Sequence, residues 1–223
     1  MIDCFKIATE LKFLANNVLN DKEIIEKLLP YGRINFTGSY AADLMAWPDI
    51  DIQIEISDKH DRVKVFTDLS YRFLHDKDFE DIKLIHCTPG KKLNMPAGMY
   101  MGLHCKHDNT RWKIDIWALD DVHFKENRQY MQDVLSKLNN DRKKLILEWK
   151  HKMLTNGRVP QLGSYMLYRA ILFEELTDNK KIADYLVKNG VKFTCSDFSV
   201  NQDYLKAAGI IDNKEPVAQP TQP

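Results

Sequence analysis

At 223 residues the chain exceeds the usual domain of about 100–150 residues, and with 44% apolar and 29% charged residues it reads as a soluble globular protein, not a disordered, collagenous or disulfide-stapled one. Lys plus Arg equals Asp plus Glu at 32 each, so no net field steers the molecule onto DNA or RNA. Charge follows the first Met at Asp3 and Lys6, no run reaches the roughly 18–20 apolar residues of a membrane span, and four cysteines (4, 87, 105, 195) lack any Cys-x-x-Cys pair; a cytoplasmic, reducing location is expected.

Phe5, Ala8, Leu11, Leu14 and Val18 recur at helical spacing, and a second helix is expected from Ile24, with Asp21 as its N-cap, until Pro30-Tyr31-Gly32 stops it. A short strand at 34–37 leads through Gly38-Ser39 into a helix at 40–47, which Pro48 ends. Asp49–Ile56 then alternates polar and isoleucine without a fault, the pattern of a strand with one buried face. Val63, Phe66, Leu69, Phe73 and Leu74 predict an amphipathic helix, and strands follow at 83–87, 99–105 and 112–119. Beyond these the pattern is helical: 127–154 with a break near Asn139-Asn140, then 161–176, then 180–188 closed by Asn189-Gly190. The expected fold class is α+β, a mixed sheet flanked by helices and followed by a helical unit, with domains at 1–124 and 125–205. The tail at 206–223 carries three prolines in its last eleven residues and is expected to be disordered.

The chemistry concentrates on one strand. A period of two puts Asp49, Asp51, Gln53 and Glu55 on one face, and same-face neighbours lie about 7 Å apart. Two adjacent carboxylates repel unless cations sit between them, and hard oxygen donors suit Mg²⁺ or Mn²⁺. A lone Asp-x-Asp is more often the wet face of an edge strand. Upstream, however, Gly38-Ser39 joins a strand end to a helix start, where free N–H groups and a hydroxyl can cradle phosphate.

The joint pattern, a short strand, Gly38-Ser39, nine residues and Asp49-Ile50-Asp51-Ile52, resembles the signature of the DNA polymerase beta-type nucleotidyltransferase superfamily. That family draws a third carboxylate from a later strand, and Trp112-Lys113-Ile114-Asp115-Ile116-Trp117 offers Asp115. The resemblance covers roughly residues 20–120. The stretch Ser39-Tyr40-Ala41-Ala42-Asp43-Leu44 lacks the arginine that many small members carry after the serine, which sets the chain apart from antitoxin-type members.

The resemblance implies a two-metal enzyme with Asp49, Asp51 and Asp115 as catalytic and metal-holding residues and two Mg²⁺ or Mn²⁺ ions. Gly38, Ser39 and Lys113 would bind the nucleotide, and ATP is taken as the donor. It also implies that the helical remainder shapes the acceptor pocket, where Tyr165, Tyr168, Arg169 and Trp149 are the candidates. A small hydroxyl-bearing acceptor is favoured over nucleic acid, and no membrane partner is expected. The alternatives are a catalytically silent binding or regulatory module of the same fold, or an enzyme that modifies RNA or protein.

Other motifs read as structure. His86-Cys87, His104-Cys105 and His107 cannot aim adjacent strand residues at one ion, so zinc is not expected. Between 125 and 160, nine Lys or Arg stand against four Asp or Glu, including Lys150-His151-Lys152, which reads as a solvated helix face, with a phosphate or polyanion contact as the alternative. Pro89-Gly90-Lys91-Lys92 reads as a turn, and Gly163-Ser164-Tyr165 as a helix N-terminal cap.

Overall fold

A computed structural model describes residues 3–56, 59–87, 98–154, 159–160 and 162–192. Helix α1 (Cys4–Asp21) starts where the Asp3 carboxylate accepts the N–H groups of Phe5 and Lys6, and it buries Ile7, Leu11, Ala15 and Val18 along one face. Helix α2 (Ile24–Leu28) and a 3₁₀ turn (Leu29–Tyr31) lead into β1 (Gly32–Thr37). A short α3 (Gly38–Ala42) separates it from β2 (Asp49–Ile56). Then come α4 (Arg62–His75), β3 (Phe79–Cys87), β4 (Gly98–His107) and β5 (Thr110–Leu119). Asp108 and Asn109, both at positive φ, make the tight turn that joins β4 to β5.

The sheet order is β1-β2-β5-β4-β3, with β2 and β5 parallel and every other pair antiparallel. Ile50, Ile52, Ile54 and Ile56 are all buried, in one core with Ile114, Ile116, Met101 and Leu103 from the sheet and Leu11, Phe66, Leu69 and Phe73 from α1 and α4. Burying each such side chain stabilises the fold by roughly 1.5–3 kcal/mol, so the β2 isoleucines fix which face of the strand is inward. Their polar neighbours are thereby held on the other face.

Among the described residues four further helices follow: α5 (Asp121–Lys137), α6 (Asn140–Met153), α7 (Gly163–Tyr168), continued by a π-helical turn (Arg169–Phe173), and α8 (Asn179–Lys188). Their second apolar cluster, with Val134, Ile146, Leu147, Trp149, Leu167 and Leu186, also takes Ala8 from α1 and Ala42 and Leu44 from the segment after β1. Among the described residues no helix is long and apolar enough to cross a membrane, and Cys87 and Cys105 are buried thiols that join no disulfide there.

Several expectations change. Asp21 closes α1 and caps nothing in α2, whose entry residue Glu23 is left-handed. The helix expected at 40–47 spans Gly38–Ala42, because Asp43 takes a left-handed conformation (φ 56°) that ends it. The position before α7 is Leu162, also left-handed, and neither Gly163 nor Ser164 caps it. Lys150 and His151 are buried, not solvated. The expected turn at 89–92, Cys195 and the tail at 206–223 lie outside the described residues.

Candidate active site

Strand register assembles the acidic face. Thr37 on β1 pairs with Asp51 on β2, and Asp51 pairs with Asp115 on β5, so the three stand in one row across the sheet. One step back along the parallel pair, Asp49 faces Lys113. Lys113 therefore lies beside Asp49 and two residues before Asp115, on their face. Its Nζ donates to Asp49 Oδ1 at 3.3 Å and to Asp115 Oδ2. The Tyr100 hydroxyl on β4 donates to the other Asp115 oxygen at 2.8 Å. A side chain at Gly102, the β4 partner of Asp115, would put its Cβ 2.4 Å from that hydroxyl, so glycine lets the Tyr100 ring lie across to the acid.

Burial acts strongly on these groups. Only 15% of the Asp49 side chain and 14% of Asp115 are exposed. Burial, helped by the charge of Asp115, raises the Asp49 carboxyl above its ordinary range despite Lys113. Asp51 is pushed well above it by burial and then by the Asp49 and Asp115 charges. Burial alone would lower Lys113, but the Asp49 and Asp115 carboxylates outweigh it and raise its pKa, so the ammonium stays charged.

Gly38 and Ser39 turn off β1 directly against the acids. Gly38 sits at φ +63°, and a Cβ there would meet Asp51 Oδ2 at 2.3 Å. Ser39 is 7% exposed. Behind it the Lys150 ammonium, fully buried, donates to Ser39 Oγ at 2.5 Å and to the Leu44 carbonyl at 2.8 Å. The Trp47 and Tyr168 ring centroids lie 5.3 Å from that ammonium on either count. Among the described residues no carboxylate pairs with Lys150 within salt-bridge distance, while its charge is felt by Asp49 and Asp51.

Thr37, Gly38, Ser39, Asp49 and Asp51 form the floor of a cleft of about 580 Å³, walled by Asn127, Tyr130 and Met131 of α5 and by Ser164, Tyr165 and Tyr168 of α7. Of the four acceptor candidates, Tyr165 and Tyr168 line it. Trp149 is 2% exposed and donates from its indole N–H to Asn179, and Arg169 lies on the π-turn near Glu174. Tyr130 stacks on Phe173 and leans on Tyr165, at centroid distances of 5.7 and 5.4 Å.

Two hard carboxylates side by side on a buried face, with Gly38 keeping the space over Asp51 clear, are a donor set that fits a divalent cation. Among the described residues no three such side chains stand as a ready metal cage, and Lys113 spans the gap between Asp49 and Asp115. His104 and His107 are engaged elsewhere: His104 Nδ1 lies 2.6 Å from Asp81 and His107 Nε2 2.7 Å from Asp21.

Sequence reasoning did not find Tyr100, Gly102, Tyr130 or the buried role of Lys150. The signal for Tyr100 was its two-residue offset from Gly102 on a strand beside β5. Lys150 gave none, since a Lys-His-Lys triplet looks solvated.

No family model matches the chain, and no curated protein matches it. It is similar in structure to the noncanonical poly(A) polymerase complex GLD-2–GLD-3, at 14% identity over 90% of this chain and 68% of that one, with a TM-score of 0.49. It is likewise similar to the Cid1 poly(U) polymerase, at 16% identity over 66% of this chain and 46% of that one (TM-score 0.45). The polymerase core of TRAMP, an RNA surveillance complex, gives 14% identity over 80% of this chain and 58% of that one (TM-score 0.46). The chain thus spans about half to two thirds of the length of the polymerases it resembles.

Proposed function

We propose that the chain is a nucleotidyltransferase that moves a nucleoside monophosphate from a nucleoside triphosphate, ATP in the first instance, onto a hydroxyl. One observation carries this reading: the register that lines up Asp51 with Asp115 and sets Asp49 beside them also delivers the Gly38-Ser39 turn to the same end of the sheet. In the proposed division of labour, residues 1–124 carry the chemistry and residues 125–205 supply the second wall of the cleft.

Asp49, Asp51 and Asp115 would hold two Mg²⁺ or Mn²⁺ ions. Bound there, the ions would neutralise charge on the phosphoryl oxygens and ease ionisation of the acceptor hydroxyl. The chain's own groups do the rest. The Gly38 and Ser39 amides and the Ser39 hydroxyl donate to phosphate oxygens, and Lys150 behind them keeps that end of the cleft electropositive. The acceptor oxygen bonds to the α-phosphorus as the bond to the bridging oxygen breaks, and pyrophosphate leaves with that electron pair. Asp115 accepts the hydroxyl proton, and Tyr100, already bonded to its Oδ1, holds the carboxylate in place. Tyr165, Tyr168 and Tyr130 offer ring surface to the ligand.

The favoured acceptor is a small hydroxyl compound. A cleft of about 580 Å³ is of small-ligand size, and the balanced charge provides no field to gather a polyanion. Incubation with Mg²⁺ and each α-labelled nucleoside triphosphate, over a panel of small alcohols, sugars, oligonucleotides and proteins, tests this. Label moving to a small acceptor with release of pyrophosphate supports the reading in full. Transfer only to oligonucleotide or protein relocates the acceptor class, and no transfer to anything overturns the enzyme reading.

A further inference from the structure

Lys113 is placed by topology rather than by a side-chain accident. Parallel pairing makes it the cross-strand partner of Asp49, and strand alternation makes it the same-face neighbour of Asp115. Its ammonium bonds to both carboxylates and is only 34% exposed. On the far side of the acids, Lys150 is locked to Ser39 and Leu44 and has no room to leave. Lys113, with 34% of its side chain exposed, is less enclosed.

We propose that Lys113 is a tethered counter-cation that competes with divalent metal for Asp49 and Asp115 and, when displaced, pairs with the triphosphate, so that metal and nucleotide bind cooperatively. The inference rests on the transferase reading and deepens it by naming the residue that couples the two ligands. The charges require the coupling. A divalent ion arriving alone gains the carboxylates but leaves an ammonium with no counter-charge beside it. An arriving polyphosphate supplies that counter-charge, so each ligand removes a cost from the other. A protein built this way holds its acids in position without metal and takes up metal chiefly together with nucleotide.

The test is Mn²⁺ binding by the full chain, followed by the electron paramagnetic resonance signal of free Mn²⁺, with and without a non-hydrolysable ATP analogue. In the wild-type protein the analogue should tighten Mn²⁺ binding about tenfold or more, within the usual span of such couplings. Lys113→Met, or Lys113→Gln where the methionine variant does not fold, should bind Mn²⁺ alone about tenfold more tightly than wild type and lose most of the coupling. Amine labelling of the wild type, read by mass spectrometry, gives a check that needs no variant. Modification of Lys113 should speed up with Mn²⁺ alone and slow again when the analogue is added. Unchanged Mn²⁺ affinity in the variant, intact coupling, or a labelling rate indifferent to Mn²⁺ would overturn the proposal while leaving the transferase reading in place. Failure of wild type and variants alike to bind Mn²⁺ even with the analogue would overturn both.

Discussion

Gly38 and Asp51 are fitted to each other: the backbone at Gly38 takes φ +63°, and the space where its Cβ would stand lies 2.3 Å from Asp51 Oδ2. The turn and the acid can share one end of the sheet only because residue 38 has no side chain. Gly38→Ala combines a left-handed backbone with a clash against a buried carboxylate. We expect a loss of about 1–3 kcal/mol, seen as a melting temperature lower by roughly 3–10 °C, and a fall in transfer of at least about 100-fold. A variant with wild-type turnover would show that the turn does not touch the reaction.

Lys150→Met exchanges a buried ammonium between Trp47 and Tyr168 for an apolar chain of similar reach. The fold should survive, since removing a buried charge that has no carboxylate partner among the described residues offsets the loss of donors to Ser39 and Leu44. Affinity for Mg²⁺-ATP should fall about tenfold or more, equivalent to about 1.4 kcal/mol or more. Calorimetric titration reads this directly, and unchanged affinity would remove Lys150 from the phosphate end of the cleft.

What the sequence revealed and what it hid follow from the range of the forces involved. The alternation of Asp49–Ile56 is local, so it announced both the strand and which face is polar, though not that this face is largely buried. Asp115 between Ile114 and Ile116 announced itself in the same way. Tyr100 reaches Asp115 only across a β4–β5 register that the hairpin at Asp108-Asn109 sets. Lys150 is buried by Trp47, far upstream, and by Tyr168, downstream, and no pattern within α6 reports either. The helix after Gly38 ended early because Asp43 adopts a left-handed turn, a choice that tertiary packing makes and propensity does not. Asp21 looked like a cap because acids often precede helices; it closes α1 and meets His107 instead.

Acid–base linkage gives Asp51 a definite sign. Burial and the charges of Asp49 and Asp115 raise its pKa in the folded chain, so above the ordinary carboxylate range the folded state holds a proton that the unfolded state has lost. Its contribution is therefore full below the unfolded value and is lost as pH rises through the folded one. In chelator, the urea midpoint of Asp51→Asn should gain on wild type as pH rises from the carboxylate range toward neutrality, and Mg²⁺ should narrow the difference. A gap that does not change with pH would contradict this.

His151 carries the opposite sign. It is 2% exposed, both ring nitrogens lack a hydrogen-bond partner among the described residues, and burial followed by the Lys150 charge pushes its pKa down from 6.5 to about 4. Folding then favours the neutral ring, so stability is full above 6.5 and is lost as pH falls toward 4, by up to about 3 kcal/mol. His151→Phe should abolish most of that acid lability. Urea titrations at intervals across this window measure it, and an unchanged acid slope would place the lability elsewhere.

The central claim is that the acids on β2 and β5 act together on a nucleoside triphosphate, and pyrophosphate release by folded wild type, Asp51→Asn and Asp115→Asn tests it most directly. With Mg²⁺, nucleoside triphosphate and a competent acceptor, the wild type should release pyrophosphate in step with label transfer. Either variant, with its circular dichroism spectrum unchanged, should be slower by about 1,000-fold or more, a barrier increase of about 4 kcal/mol or more. Release by Asp51→Asn at the wild-type rate would contradict the account.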